Sequence, residues 1–355
     1  MSTTVTPIAV PEVSSTRMPI RPINIGLIVV GLLLALVLPH VVDTYWLFLA
    51  RTLGINFIAA AALNVLQGNA GQFSLGNAAF LAVGSYSGAF FWVQLGLPLP
   101  VAFVGVALAG ALVGLVVGLP ALRLHGIYLL MSSLAAHFIV VFVASRYQVA
   151  NFGVAGVPYK TPGLGPLSQG GSIDVYYLIL IVAVLVALLL WNLLRSAYGR
   201  ALVGVRDRDV AAAACGIAVG RTKLVVWSLT SSIVAVAGLL QAMSLGTASI
   251  EFYTLGLAIT FVAMTLIGGH GSLLGSFVGA VFVTGIPEVI ATIAKRVGAG
   301  PFDDSIWAHP FELQRIAYGA AIVLFILLEP DGLVGLGRRF VRWLSGRRSS
   351  PEETG

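Results

Sequence analysis

The chain has 355 residues, of which 58% are apolar and only 10% are charged, and its mean hydropathy is +0.97. Soluble domains carry about 25% charged residues, so this composition excludes an ordinary soluble protein and indicates one that crosses a membrane many times. The net charge of +6 fits Lys and Arg placed on the cytoplasmic side of a membrane and gives no reason to expect nucleic-acid binding.

The N-terminal residues 1–22 form a polar tail that contains Arg17 and Arg21. The apolar run that follows, from Ile23 to Leu38, has no small-residue cleavage site after it. A secretory signal peptide would show such a site after a short apolar core. We therefore interpret this run as a first membrane span that the mature protein retains.

Ten apolar segments approach the length of about 20 residues that a membrane-spanning helix needs, which predicts an all-α, polytopic transmembrane helical bundle. The third segment begins with Gln, Ser, Gly and Asn, so it also suits a re-entrant or broken helix. The segments are residues 23–42, 45–66, 74–94, 98–118, 127–145, 175–194, 224–246, 252–268, 271–293 and 312–328.

The distribution of Lys and Arg supports this count. With the N-terminus inside and strict alternation, the inside stretches hold 14 Lys and Arg and the outside loops hold 4. This asymmetry follows the positive-inside rule and predicts both termini in the cytoplasm. The domains are then a cytoplasmic tail (1–22), a transmembrane domain (23–337) and a basic cytoplasmic tail (338–355).

Two outside loops are long, residues 146–174 and residues 294–311. The first is rich in Gly and Pro, and the second contains two Asp and one Trp. Each is either a solvated connection or a contact with a partner outside the cytoplasm.

The sequence contains no arrangement that indicates catalysis. Its five His are scattered, there is no Gly-rich phosphate loop and no nucleophile elbow. The single Cys, Cys215, excludes an internal disulfide and gives no metal-ligand spacing. We therefore predict no catalytic residue, no metal site, no cofactor bound by this chain and no enzyme activity.

Ionisable residues inside membrane spans are candidates for function because charge is expensive in lipid. Arg315 lies near the outer end of its span, from which its head group can reach water. His137 either makes a neutral helix–helix contact or, with Glu288, relays protons in a secondary transporter. Glu288 alternatively pairs with Arg51 or faces water.

The only internal segment dense in charge is residues 196–223, which we call the central loop. Its composition predicts two short helices, over residues 201–208 and 210–215. We expect Asp209 to cap the second helix and Gly216 to end it. A short helix lying across the membrane surface between two charged clusters is typical of a docking site for a soluble partner.

The central-loop sequence YGRALVGVRDRDVAAAACGI resembles the coupling loop of ABC importer permeases, in the version found in the branched-chain amino acid permeases. It departs from that pattern at Asp209, where Glu is usual, and at Arg208 and Ala213, which replace acidic residues. Three further stretches are similar to the family: GNAGQFSLGNAAFLAVGSYSGA (68–89, with Ser85 in place of Ala), IGGHGSLLGSFVGA (267–280) and LLEPDGLVGLGRR (327–339).

The element LRLHGIYLL, followed by a long outside loop, favours the LivM-type subunit of that family. The resemblance implies a permease subunit of an ABC importer for branched-chain or related amino acids in the bacterial inner membrane. Its implied partners are a homologous LivH-type permease, two cytoplasmic ATPase subunits that bind ATP and Mg, a periplasmic or lipid-anchored solute-binding protein, and membrane lipid.

Two alternatives remain open at this point. Permeases of the same family also serve urea, amide or aromatic-acid uptake, and nothing in the sequence determines the solute. A proton-coupled secondary transporter belongs to another class and would need neither ATPase nor binding protein.

The resemblance and the polar pattern together predict three sets of site residues. The ATPase-coupling set is Arg200, Arg206, Asp207, Asp209, Ala211, Ala212 and Gly216. The pathway candidates are Gln72, Ser74, Asn77, Ser132 and Ser133. The first three are polar groups at the start of a span, which either line a pathway or hold a broken helix together. Close helix packing along one face is predicted for Gly271, Gly275 and Gly279.

Overall fold

The computed structural model of the chain describes residues 22–159, 171–297 and Gly319. Almost all of this part is helical, which confirms the predicted all-α class. The helices are α1 (Pro22–Val41), α2 (Thr44–Asn64), α3 (Asn77–Gly88), α4 (Leu99–Gly118), α5 (Ile127–Phe152), α6 (Gly171–Arg195), α7 (Ala197–Asp207), α8 (Asp209–Ala214), α9 (Val219–Leu245), α10 (Leu255–Gly268) and α11 (Leu273–Val297).

Helix α1 belongs to a structural unit of its own, which ends at Val41. It has 20 residues and carries Pro39 near its C-terminal end. At 1.5 Å per residue such a helix is about 30 Å long, which matches the hydrocarbon core of a bilayer. All the other helices lie in the second unit.

Six helices in the described part of the chain are long and apolar enough to cross a membrane, which makes this a multi-pass protein. Helix α11 contributes a shorter apolar stretch, Leu273–Glu288. The tenth predicted segment, residues 312–328, lies outside the described residues apart from Gly319. The six spans are Thr44–Asn69, Leu99–Leu122, Ile127–Phe152, Gly171–Arg195, Val219–Leu245 and Ile250–Gly268.

The third predicted segment, residues 74–94, is not among these spans. The chain leaves α2 through a π-helical turn, Val65–Asn69, and enters α3 only at Asn77. Residues 70–76 between them are not helical, and we call them the helix break. Helix α3 has 12 residues and continues directly into a second π-helical turn, Ala89–Gln94. The non-helical residues before α3 favour the broken-helix alternative.

The predicted outside loop of residues 146–174 is shorter than expected. Helix α5 continues to Phe152, with Gln148 still packed inward at 3% exposed, and α6 begins at Gly171. Within the remaining loop, Val157–Pro158 forms a short antiparallel pair with Thr247–Ala248, just after α9. The loop 294–311 is described only as far as Val297, the end of α11, and the tail 338–355 lies outside the described residues.

Helix α9 is the most buried of the six spans, and small residues let its neighbours approach it. A Cβ added at Gly84 of α3 would lie 1.7 Å from the Ala235 carbonyl oxygen of α9. A Cβ at Gly238 of α9 would lie 2.0 Å from the Leu81 carbonyl oxygen of α3. Such backbone proximity is typical of membrane helices, whose association depends on close van der Waals packing.

Candidate functional site

The central loop consists of the two short helices α7 and α8, close to the predicted positions. Ser196 begins α7, since its Oγ accepts hydrogen bonds from the backbone N–H groups of Tyr198 (3.2 Å) and Gly199 (3.4 Å). Arg208 separates the helices because its backbone is extended, with φ −157° and ψ 109°. The loop therefore has defined structure over both helices.

Gly216 ends α8 as predicted. Its φ is +82°, a left-handed conformation that glycine adopts without strain. Its N–H donates to the Ala213 carbonyl at 2.9 Å, and the Ile217 N–H donates to the Ala212 carbonyl at 3.1 Å. These two bonds form a Schellman motif, which satisfies the last carbonyls of the helix.

The prediction that Asp209 caps α8 is wrong. Asp209 is the first residue of α8, and no side chain caps that end of the helix. Its carboxylate oxygen Oδ2 lies 2.5 Å from Lys223 Nζ and 3.0 Å from His125 Nε2. Lys223 and His125, which lie on two other elements, bind the carboxylate away from the helix N-terminus.

Asp209, Lys223 and His125 form one cluster, which we call the latch. Their side chains are 30%, 7% and 64% exposed, respectively. Burial alone would raise the pKa of the Asp209 carboxyl, but the hydrogen bonds and charges of Lys223 and His125 hold that pKa below its usual value. The carboxylate is therefore ionised at neutral pH, and the latch joins α8 to α9 and to the α4–α5 connection.

Arg206 joins α7 to the π-helical turn that precedes the helix break. Its Nη1 donates to the Gly68 carbonyl at 2.9 Å, while Nη2 lies 3.0 Å from Asp207 Oδ1. The space for this contact exists because residue 71 is glycine: a Cβ there would lie 2.6 Å from the Arg206 Cγ.

Tyr198 makes a contact between α7 and α9, since its hydroxyl donates to the Thr222 carbonyl at 2.7 Å. Burial raises the pKa of Tyr198 to about 12, so its hydroxyl keeps its proton.

The predicted coupling residues divide into two groups. Ala212 and Asp209 point toward the rest of the protein, with Ala212 only 5% exposed. The exposed group is Arg200, Arg206, Asp207, Ala211 and Gly216. Val210 of α8 is 84% exposed, which leaves a small apolar surface open on the outer side of this helix.

The polar residues at the helix break mostly satisfy one another. Ser133 Oγ accepts from the Leu75 N–H at 3.0 Å, and Ser74 Oγ accepts from the Gly76 N–H at 3.1 Å. Asn77 Nδ2 lies 3.5 Å from the Ala59 carbonyl oxygen. The contacts of Ser74 and Asn77 fit the interpretation that these residues hold the broken helix together, and Ser133 adds a contact of the same kind.

The other two pathway candidates differ from these. Ser132 is half-buried in a largely apolar groove between α4 and α5. Gln72 is 4% exposed, yet neither its Oε1 nor its Nε2 has a hydrogen-bond partner among the described residues.

Asn64 is a structural residue that the sequence analysis missed. Its Oδ1 accepts from the Gly271 N–H at 2.7 Å, and its Nδ2 lies 2.9 Å from Ser276 Oγ. Gln67, one turn later, donates to the Ser74 carbonyl and accepts from Thr265 Oγ1 at 3.1 Å. Both are amides at the end of an apolar run, where an unpaired polar group is costly, and that signal was available in the sequence.

The three predicted packing glycines do not share one helix face. Gly271 precedes α11 and has φ +72°, so it lies in the connecting turn, where Asn64 holds its N–H. Gly275 and Gly279 lie on α11 against α10. A Cβ at Gly279 would lie 2.0 Å from the Met264 carbonyl oxygen, and one at Gly275 would lie 2.8 Å from the Gly268 carbonyl oxygen.

The intramembrane ionisable residues lie apart. The Glu288 carboxylate accepts a hydrogen bond from the Tyr45 hydroxyl, and no ion pair joins it to Arg51 in the described part of the chain. Arg51 is 7% exposed, and its guanidinium lies 5.8 Å from the centre of the Phe48 ring. His137 is 1% exposed on α5, whereas Glu288 lies on α11. No described hydrogen bond links them as a relay, and Arg315 lies outside the described residues.

No group of three or more His, Cys, Asp or Glu within the described residues is arranged to hold a metal ion. The best-defined polar site is therefore the central loop with the latch, the Arg206–Gly68 contact and the neighbouring helix break. Its geometry suits mechanical contact between elements.

Comparisons with known proteins show what the whole chain is similar to. The chain is 26% identical over 340 residues to the high-affinity branched-chain amino acid transport system permease protein LivM of Salmonella typhimurium, which covers 89% of this chain and 76% of the relative. LivM of Escherichia coli K12 is 25% identical with the same coverage. The autoinducer 2 import system permease protein LsrC of Klebsiella pneumoniae is 31% identical over 52% of each chain.

Among solved structures, PsaBC from Streptococcus pneumoniae in complex with Fab is similar with a TM-score of 0.49 and 15% identity, over 90% of this chain and 99% of that one. Residues 45–326 match the family described as the branched-chain amino acid transport system permease component. The chain belongs to this family of ABC transporter permeases.

Proposed function

We propose that this chain is the LivM-type permease subunit of an ABC importer for branched-chain or related amino acids. It pairs with a homologous permease, and the solute passes between the two. Two cytoplasmic ATPase subunits bind ATP and Mg, and a binding protein on the other side of the membrane delivers the solute. The family match and the two LivM relatives support the amino acid assignment.

The observation that carries the proposal is that α8 exposes one side to solvent and binds other elements of the protein through the opposite side. Its outer side carries the exposed Val210 and Ala211, which suits docking into a groove of an ATPase subunit. On its inner side Asp209 binds Lys223 of α9 and His125 of the α4–α5 connection. A force applied to α8 therefore reaches α9 and the connection between α4 and α5 through direct contacts.

In this mechanism ATP binding closes the ATPase dimer and moves α8. The latch transmits the movement to α9 and to the α4–α5 connection, and the Arg206–Gly68 contact transmits it to the end of α2. The spans then alternate between inward-facing and outward-facing arrangements as rigid bodies. Since Arg208 and Ala213 stand where acidic residues are usual in the family, α8 and the residue before it are less acidic than usual, and we expect the groove on the ATPase to be correspondingly less basic.

The test is uptake by proteoliposomes that contain this chain, the homologous permease, the two ATPases and the binding protein. We expect leucine uptake that requires ATP inside the vesicles together with the binding protein. Uptake by this chain alone under a proton gradient would contradict the proposal and favour a secondary transporter.

The same vesicles identify the solute. The panel includes leucine, urea, acetamide, an aromatic acid and autoinducer 2, because one relative is an autoinducer 2 permease. ATP-dependent uptake of another solute without leucine uptake would retain the ABC importer and overturn the amino acid assignment.

A further inference from the structure

A cleft of about 320 Å³ lies between the central loop and the helix break. Its walls come from four parts of the chain. Gly71 and Gln72 belong to the helix break, Gly126 to the α4–α5 connection, Arg208 and Asp209 to the central loop, and Lys223 to α9. Movement of α8 relative to the spans would change the shape of this cleft.

The feature of the cleft that needs an explanation is the Gln72 amide. The side chain is 4% exposed, and neither Nε2 nor Oε1 finds a partner among the described residues. Gln67, five residues earlier, uses both ends of its amide. A buried polar group left unpaired costs about 1–3 kcal/mol. We therefore expect the Gln72 amide to bind a molecule that both accepts and donates hydrogen bonds.

The charges around the cleft specify the acidic part of that molecule. Lys223 and Asp209 neutralise each other in the latch. Arg208 is exposed and forms no ion pair within the described residues. A guanidinium free in this way binds carboxylates through paired N–H donors.

The size of the cleft limits the ligand further. Small-molecule sites have volumes of about 300–1,000 Å³, so this cleft lies at the lower end of the range. A free amino acid is small and carries both a carboxylate and an ammonium donor.

From these features we infer that the cleft binds a free α-amino acid. The carboxylate accepts from Arg208 and from Gln72 Nε2, and the ammonium group donates to Gln72 Oε1. This inference rests on the proposed function, under which the cleft opens to the cytoplasm and the ligand is the imported product. A bound amino acid bridges the central loop and the helix break, resists movement of α8 and lowers ATP hydrolysis when product accumulates.

The test measures binding of radiolabelled L-leucine to the assembled transporter in nanodiscs without the binding protein. Three forms are compared: wild type, Gln72→Leu and Gln94→Leu. Gln72→Leu removes both unpaired polar atoms at similar volume, so it is expected to fold. Gln94 lies at the far end of the π-helical turn after α3, about 25 Å along the helix from Asn77, and serves as the matched control.

We expect saturable leucine binding to the wild type and to Gln94→Leu, at least tenfold weaker binding to Gln72→Leu, and weaker binding to a second variant, Arg208→Gln. Leucine should also lower ATP hydrolysis by the wild type and leave hydrolysis by Gln72→Leu unchanged. Absence of saturable binding, or equal binding by wild type and Gln72→Leu, would overturn the inference.

Competition with inorganic phosphate and with acetate distinguishes an amino acid site from a general anion site. We expect unlabelled leucine to displace the label at concentrations at which neither anion does. Displacement by phosphate at the same concentration would overturn the amino acid assignment. The proposed function is tested separately by uptake with a loaded binding protein, so a transporter that imports leucine without binding it at the cleft loses only this inference.

Discussion

Lys223 Nζ lies 2.5 Å from Asp209 Oδ2, and this ion pair joins the beginning of the longest described span, α9, to the first turn of α8. The Lys223 side chain is only 7% exposed, and this carboxylate lies beside its ammonium group. The pair connects the exposed helix α8 to a buried side chain of α9.

Neutralising Asp209 therefore tests the latch. We expect Asp209→Asn to lower the free energy of unfolding by about 1–3 kcal/mol, because it leaves the buried Lys223 ammonium without its anion. Thermal unfolding of the purified protein measures the effect. The matched control is Asp207→Asn: Asp207 is 61% exposed and pairs with its exposed neighbour Arg206, so its loss should cost about 0–1 kcal/mol.

The charge reversal Asp209→Lys should uncouple the transporter, with ATP hydrolysis retained and uptake per ATP lost. Restoring neutrality in Asp209→Asn with Lys223→Met should recover stability without restoring coupling. If the Asp207 and Asp209 variants melt at the same temperature, the latch has no special role.

Gly216 supports a prediction about the end of α8. Its φ is +82°, and nothing lies within 4 Å of a Cβ added there, so any penalty comes from the backbone alone. We expect Gly216→Val to cost about 1–2 kcal/mol locally and to lower uptake per ATP by loosening α8. Gly216→Asn is the control, since Asn tolerates this conformation. Equal uptake in the Val and Asn variants would show that the C-terminal end of α8 does not matter for coupling.

The contact between α10 and α11 gives a stability prediction with a control on the same helix. A Cβ at Gly279 would lie 2.0 Å from the Met264 carbonyl oxygen, whereas a Cβ at Gly285 meets nothing within 4 Å. Gly279→Ala should therefore separate the two helices and cost about 1–3 kcal/mol. Gly285→Ala should be neutral or stabilising, because Ala favours a helix over Gly. The order of the two melting temperatures checks this, and the reverse order would contradict the packing.

The membrane spans could be predicted from the sequence because each requires an apolar segment of a certain length. Segments such as 98–118 and 175–194 closely match α4 and α6, because a lipid environment requires about 20 apolar residues in each span. The helix break after Asn69 was one of two predicted alternatives. Its cause lies in contacts from Gln67 and Ser133 that only the three-dimensional structure shows.

The candidate site was predicted less completely. The sequence indicated a helical, charged central loop, and Gly216 marked its end. It did not predict that Asp209 binds Lys223, because a carboxylate at a helix start satisfies the capping pattern equally well and the partner lies 14 residues away. The position of Gly271 was also predicted wrongly. The regular glycine spacing placed it on α11, whereas its positive φ places it in the turn before that helix.

Ser85 replaces the Ala that is usual in the branched-chain amino acid permeases, and it lies in a buried polar cluster. Its Oγ lies 2.8 Å from the Gly238 carbonyl oxygen and also hydrogen-bonds the Tyr253 hydroxyl. Ser85→Ala should therefore destabilise the protein by about 1–3 kcal/mol, because the Tyr253 hydroxyl is left buried without a partner. Adding Tyr253→Phe should recover part of the loss in a double-mutant cycle. Ser87→Ala is the control, since Ser87 bonds only to carbonyls of its own helix; an equal loss there would contradict this role for Ser85.

The central claim, that α8 docks on an ATPase, is tested most directly through Cys215. This residue is the only Cys in the chain and is exposed at the end of α8. A photoreactive maleimide attached to Cys215 in membranes containing the whole transporter should crosslink this chain to the ATPase subunit. Cys215→Ser should give no product. Efficient labelling without any ATPase adduct, or labelling from outside the cell by a membrane-impermeant maleimide, would contradict the account.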